Sequence, residues 1–299
     1  MNMRLPHPSI LFFLFICLLP LMAQMPDWKF FRDREGNTYF IDQAGKIRIT
    51  DVKEYRYRPV SSIGIDYYLN YGTTLIQDHR LDEGLSVLKS ICALPVDNNR
   101  TYQAQMKAME QINALKRRNG PRFDALNESA SLMLFKKDEV THIINDQMYY
   151  SFSVPCRIGV IRKQDRSRAG VDYRYSGVQF GLQRSDAKSA QAGEYDMLMA
   201  VDSEKFSVAI KNVDDAADKW KWNIGYDGLT REVVAKDGGR ILYRFRSGGP
   251  ALFAGLEGIF LNGNFTHCVR VVSSEAVYGE NREFIRALME SFRPVSKNR

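Results

Sequence analysis

Histidines and cysteines limit the chemistry this chain can attempt. Of the four histidines, His7 lies in an N-terminal apolar segment, leaving His79, His142 and His267 for the body of the protein. His267 and Cys268 are neighbours on an expected strand, so their side chains point to opposite faces and cannot form a Cys–His pair with each other. No CxxC, HExxH, P-loop, EF-hand loop or G-x-S-x-G elbow is present. The glycines of Ser247-Gly-Gly-Pro250 and Gly255 to Gly258 do not have phosphate-cradle spacing. Asp214-Asp215 and the pair Asp202 and Glu204 suit helix starts or turns, where acids meet the helix dipole and backbone amides. Catalytic, metal-ligating and cofactor-binding residues are therefore expected to be absent, and the chain is read as no enzyme. Two features remain. Trp220 and Trp222 fall on one side if the segment is extended, which would make a stacking platform for sugars or peptides where exposed; core packing is the commoner explanation of such a pair. Cys156 and Cys268, on or beside strands of the same region, are the one pair that could form a disulfide, with Cys92 left as a thiol on an apolar helix face.

The elements that would position these residues begin after a leader. Arg4 precedes the apolar run Ile10 to Leu19, Pro20 breaks it, and Ala23 offers a small residue before a cut. This is the order of a cleavable secretory signal, in 1–23, placing the protein in the periplasm or envelope of a bacterium. The run is short for a membrane span, and no later segment is apolar enough to cross a bilayer. Removing the leader takes the formal charge from +7 to +6, because Arg4 is its only charged side chain. The basic cluster Lys116-Arg117-Arg118 with Arg122 ends an expected helix, where cations favour the dipole. Nucleic acid is not expected as a partner. At 44% hydrophobic residues and 12% aromatic, the chain can build real cores.

Three segments follow. In 24–60, short aromatic runs bounded by Gly, Asn and Asp predict a small β-meander: Trp28 to Phe31, Tyr39 to Ile41, and Lys46 to Ile49. Its pattern of Trp28, Tyr39-Phe-Ile-Asp42 and Ile47 or Ile49 resembles the opening of surface-adhesin-E-type envelope domains. In 61–120, Tyr67, Tyr68, Tyr71, Leu75 and Ile76 recur at helical spacing, and Leu81, Leu85, Leu88 and Ile91 repeat the pattern before Pro95. A third helix is expected to carry Tyr102, Met106, Met109, Ile112 and Leu115 on one apolar face and to stop at Gly120-Pro121. Tyr68, Gly72, Gly84, Leu88 and Pro95 resemble the signature positions of one tetratricopeptide unit with its capping helix, although Gly84 replaces the usual Ala and Leu75 the usual Tyr. An ordinary helical hairpin is the alternative. Tyr67, Tyr68 and Tyr71 are its candidate protein-contact residues.

After a linker at 121–131, the segment 132–296 alternates like antiparallel strands, and 297–299 is a tail. Expected strands include Tyr150 to Val154, Val178 to Leu182, Phe206 to Ile210 and Ile241 to Phe245. A hairpin is expected to turn at Asn262-Gly263. A short helix near Asp214 to Trp220 and a terminal amphipathic helix with Phe284, Ile285, Leu288 and Phe292 complete an α+β fold. The order Tyr150-Ser-Phe-Ser-Val-Pro155, the hairpin before Val269-Arg-Val271, and Phe284 to Pro294 is similar to PsbP-like domains. That resemblance implies an antiparallel sheet flanked by helices and a habit of accessory binding, with no functional residue carried over. The function expected is that of an exported, non-catalytic envelope protein that binds or assembles with an envelope protein. The alternative is a small-ligand-binding or hydrolytic domain with a pocket on the C-terminal sheet.

Overall fold

The computed structural model describes residues 29–32, 38–41, 46–49, 59–167, 172–184, 194–208, 210–220, 229–247 and 253–295. The expected leader at 1–23, the tail at 297–299 and Trp222 lie outside them. The chain is α+β, as its sequence pattern predicts. Strands β1 (Lys29–Arg32), β2 (Thr38–Ile41) and β3 (Ile47–Ile49) form an antiparallel meander. Strand β4 (Val60–Ser61) then precedes helices α1 (Ile65–Gln77), α2 (Leu81–Ala93), α3 (Asn99–Asn119) and α4 (Arg122–Ser129). The last of these corrects the expectation of a linker at 121–131. Pro121 can stand just ahead of a helix because its missing N–H is not needed there, and Phe123 is buried against Leu85, Leu115 and Ala130.

Strands β5 (Leu132–Lys137), β6 (Val140–Asn145) and β7 (Tyr150–Val154) form a second antiparallel ladder. Strand β4 adds to its edge in parallel to β5. Next come β8 (Arg157–Ser167), β9 (Arg174–Gln183), β10 (Glu194–Tyr195) and β11 (Met197–Lys205), then α5 (Val213–Trp220). Strands β12 (Leu229–Lys236), β13 (Arg240–Ser247), β14 (Phe253–Asn262) and β15 (Phe265–Ser274) lead to α6 (Glu275–Glu280), α7 (Arg282–Ser291) and β16 (Arg293–Pro294). The seven-stranded sheet runs β12-β13-β14-β15-β11-β9-β8, the five-stranded sheet β16-β7-β6-β5-β4, and the meander takes β10 as its fourth strand.

Two local expectations shift. Phe206, Ser207 and Val208 follow the strand instead of forming it; the strand is Met197–Lys205. Strand β11 lies between β15 and β9, so Met197, Met199 and Val201 bury on one face and Ser203 is also enclosed. Such an interior strand loses the clean alternation that reveals a half-exposed one. The β14–β15 turn is one residue later than expected. Asn262 pairs with Phe265, so Gly263 and Asn264 are the central residues, and Gly263 takes φ +62°. Only the first central residue is left-handed, which is the demand of a II′ turn and not of an Asn-Gly I′ turn.

The layers follow from alternation. On β5, Leu132 and Leu134 face the seven-stranded sheet while Phe135 faces the helices; on β6, Ile143 and Ile144 divide in the same way. The five-stranded sheet is therefore the middle layer. On its helical side, Ser90 Oγ of α2 accepts from Leu134 N at 3.0 Å and Lys89 pairs with Asp146 at 2.6 Å. On its other side, the two sheets and α7 enclose a core of Tyr150, Phe152, Phe180, Phe260 and Phe292. Tyr150 and Phe292 stack at 5.4 Å between ring centroids, and Phe260 and Phe292 meet at 4.6 Å. Helix α5 covers part of the outer face of the seven-stranded sheet.

Candidate functional site

Helices α1 and α3 lie side by side and in parallel. Asp66, at the start of α1, pairs with Arg100 at the start of α3, with Arg100 Nε donating to Asp66 Oδ2 at 2.8 Å. Further along, Thr73 Oγ1 donates to Gln111 Oε1 at 3.0 Å. Helix α2 runs back between them, and Gly72 and Gly84 make this close: Gly72 lies against Val87 and Leu88, and a Cβ on Gly84 would stand 2.9 Å from the Gly72 carbonyl oxygen. Asn98 caps α3 by accepting from Thr101 N at 2.8 Å.

The tyrosines of α1 form a connected set. Tyr67 stacks on Tyr71 at 6.2 Å with ring planes 1° apart and meets Tyr68 edge-on at 5.5 Å. Tyr67 is 60% exposed, whereas Tyr68 and Tyr71 pack partly into the helical core. On α3 the expected face is reversed for its first half. Thr101, Ala104, Ala108 and Leu115 are buried, and Tyr102, Met106 and Met109 are 50%, 42% and 47% exposed. Small side chains face inward because they let α3 approach α1 and α2, which larger ones would hold apart. Tyr102, Met106 and Met109, at i, i+4 and i+7, form one outward stripe on the side away from that packing.

The sheet residues singled out from sequence are enclosed. Trp220 is 3% exposed, packs with Val213, Ile241, Ile259 and Cys268, and its indole Nε1 donates to Thr266 Oγ1 at 3.1 Å. This corrects its assignment to a stacking platform: the indole is core, with its polar atom satisfied. Cys156 and Cys268 are both free, correcting the disulfide expectation. Cys268 packs under α5 on the outer face of the seven-stranded sheet, while Cys156 lies against the inter-sheet core. Burial pushes the Cys156 thiol up to about 12 and that of Cys92 up to about 11, and also raises Cys268. None of these is a thiolate nucleophile near neutral pH.

His267 takes the face opposite Cys268. Its ring is fully buried beside Tyr150 and Phe292, its Nδ1 shares a 2.9 Å hydrogen bond with Ser203 Oγ, and burial lowers its pKa to about 3. A serine and histidine at this distance have the pairing used in nucleophilic catalysis, but both are 0% exposed and no substrate could reach them. His142 is separate, sharing a 2.9 Å hydrogen bond with Ser153 and stacked on Phe135 at 5.1 Å.

A cleft between α2 and the sheets is lined by Asp82, Glu83, Ser86, Ser129, Leu132, Val160 and Lys163 and has room for about one water. Among the described residues, no group of three His, Cys, Asp or Glu side chains could hold a metal ion. Nor is any helix among them long and apolar enough to cross a membrane.

No protein-family model matches this sequence, and no curated protein is similar to it. Partial likeness to solved structures exists. The solution structure of cyanobacterial PsbP (CyanoP) from Synechocystis sp. PCC 6803 aligns at 12% identity and a TM-score of 0.34, over 53% of this chain and 94% of that one. A crystal structure from Bacteroides thetaiotaomicron VPI-5482 aligns at 10% identity and 0.28, over 50% and 47% of the two chains. The extracellular domain of PknH from Mycobacterium tuberculosis aligns at 14% and 0.23, over 41% and 68%. No residue role, ligand or partner is transferred from them.

One group of charged residues is not legible as a cluster in the sequence, and its Asp202, expected with Glu204 at a helix start or turn, lies instead within strand β11. Glu257 of β14 is 0% exposed and ion-pairs with Arg231 of β12 and with Arg270 of β15, whose Nε lies 3.2 Å from Glu257 Oε2. Arg270 also reaches Asp202 of β11 at 3.2 Å, and Tyr175 of β9 donates to Asp202 at 2.7 Å. These contacts run across strands that are far apart in sequence. The one signal for them was a glutamate inside the otherwise apolar run Phe253 to Leu261.

Proposed function

We propose that this is an exported, non-catalytic envelope protein whose helical unit binds a protein partner in a binding or assembly role. The observation that carries the reading is a set of exposed apolar side chains, Tyr67 on α1 and the Tyr102, Met106 and Met109 stripe on α3, where flexible methionines and aromatics favour protein contact. Export rests on the leader-like order of Arg4, the apolar run to Leu19 and Ala23. The competing reading, a ligand-binding or hydrolytic pocket on the C-terminal sheet, is weakened by the enclosure of Trp220 and His267.

The test is in-cell photo-crosslinking of tagged full-length protein. The photoreactive residue is placed at Tyr67 or Tyr102, and at Val233 on the sheet edge as a comparison. The expected result is one stoichiometric protein adduct from the helical positions, recovered in the soluble envelope fraction. Adducts from Val233 alone, or from no position, would refute the reading.

A further inference from the structure

The outward stripe of α3 repeats a surface the protein already uses internally. Asp66 and Arg100, which pair, are 34 positions apart, and the same offset relates Tyr68 to Tyr102, Gly72 to Met106 and Leu75 to Met109. On α1, those three positions face α2: Gly72 lies on Val87 and Leu88, and Tyr68 and Leu75 join the same cluster. On α3, the equivalent positions face solvent. Helix α3 therefore presents, one repeat on, the seat that α1 offers to α2.

We infer that the Tyr102–Met106–Met109 stripe is the docking seat for one amphipathic helix of a partner protein, lying antiparallel to α3 and acidic in its first turn. This rests on the protein-binding reading above and names the partner's chemistry. The orientation comes from the template, because α2 runs antiparallel to α1. In that hairpin the acidic first turn of α2, Asp82 and Glu83, lies at the C-terminal end of α1. A helix docked in the same way on α3 starts beside Lys116, Arg117 and Arg118 in its last turn, so acids there complement three cations. Met106 stands where α1 has Gly72, so the docked helix lies further out than α2 does from α1. Methionine side chains adapt to such a seat.

Charge and topology argue against a second copy as the occupant. Helix α3 carries Arg100, Lys107, Lys116, Arg117 and Arg118 against Glu110 alone, so two α3 stripes would bring like charges together. The chain's own acidic-ended helix, α2, is already enclosed by α1, α3 and β5.

The probe is a helix-stapled, fluorescein-labelled peptide with the α2 sequence Leu81–Leu94, carrying Cys92→Ser, titrated with the full mature chain. Anisotropy should show binding tighter than about 1 mM. In M106E/M109E, whose changes point to solvent, binding should weaken at least tenfold while the circular dichroism spectrum and Tm stay the same. Replacing Asp82 and Glu83 of the peptide by lysine, or raising the salt to 0.5 M, should also weaken it. Absence of binding, or equal binding to M106E/M109E, overturns the inference. A wild-type dimer in sedimentation velocity that M106E/M109E abolishes overturns the partner assignment in favour of self-association. Either failure is distinguishable from failure of the broader reading, because the crosslinking adduct at Tyr67 reports a partner whether or not this stripe holds it.

Discussion

Burial holds the His267 imidazole at about pKa 3, against 6.5 for the unperturbed group. Between those values the unfolded chain takes up a proton that the folded chain does not bind. Stability is therefore complete above about pH 6.5 and falls as pH drops towards 3, by up to about 1.4 kcal/mol per pH unit. Urea unfolding at pH 7 and pH 5 should show a larger loss for the wild type than for His267→Phe paired with Ser203→Ala, which removes the titrating ring and its partner together. An equal loss in both would place the acid sensitivity elsewhere. Glu257 makes a second residue-level case. Removing one member of a buried ion pair leaves the other uncompensated, and here Arg231 loses the carboxylate while Arg270 keeps Asp202. Glu257→Gln should destabilise by about 3–5 kcal/mol, read as a drop in urea midpoint at constant m. Strand alternation made the opposite orientations of His267 and Cys268 legible in the sequence. It could not say which face would be dry, because an indole or an imidazole serves equally in a core and in a site. Of the two readings of Trp220, core packing is the one its burial supports, and the ion pairs of Glu257 have no local signature because its partners sit on other strands.

Helix α3 sets apolar periodicity against packing distance. Tyr102, Met106, Met109, Ile112 and Leu115 satisfy a helical period, yet Ala104 and Ala108 point inward. Their own period is equally regular and much less hydrophobic, so a reading weighted by side-chain size chose the wrong stripe for the first half of the helix. Ile112 and Leu115, nearer the C-terminal end, do turn into the core as expected. The distinction is measurable. Ala108→Leu inserts bulk into a 0% exposed position and should cost about 1–3 kcal/mol. Met106→Ala and Met109→Ala should each stay within about 0.5 kcal/mol, as exposed substitutions do. The reverse order in thermal denaturation would mean that the large residues are the packing face. The C-terminal ends of α2 and α7 were legible because Pro95 and Pro294 follow them, and α5 begins after Asn212, whose side chain accepts from Asp215 N. Strand β11 was not, because a strand flanked on both sides is specified by its neighbours more than by its own alternation.

At the scale of the molecule, segments that read as successive units interlock. Strand β4, at the boundary between the expected meander and helical segments, pairs with β5, and β10, from the C-terminal half, completes the meander's sheet beside β3. Phe135 and Ile144 look away from the inter-sheet core into the helices, and Ser90 of α2 satisfies a backbone amide of β5. Sequence patterns report local periodicity, and none of these joins has a local signature. A fragment spanning 132–295 would expose the Phe135 face, lose its β4 edge and leave Leu134 N without its buried acceptor. Water can take the place of Ser90 at the opened edge, so the uncovered apolar face of Phe135 and Ile144 carries the loss. That fragment should bind an apolar dye and melt below the full chain, whose helices and sheets should unfold in one transition by far-ultraviolet dichroism and by tryptophan fluorescence. Two separate transitions in the full chain would mean that the helical unit is a passenger on the sheets. Coincident transitions would mean that a partner gripping the α3 stripe also steadies the sheets beneath it, because binding to the folded state alone stabilises everything that unfolds with it.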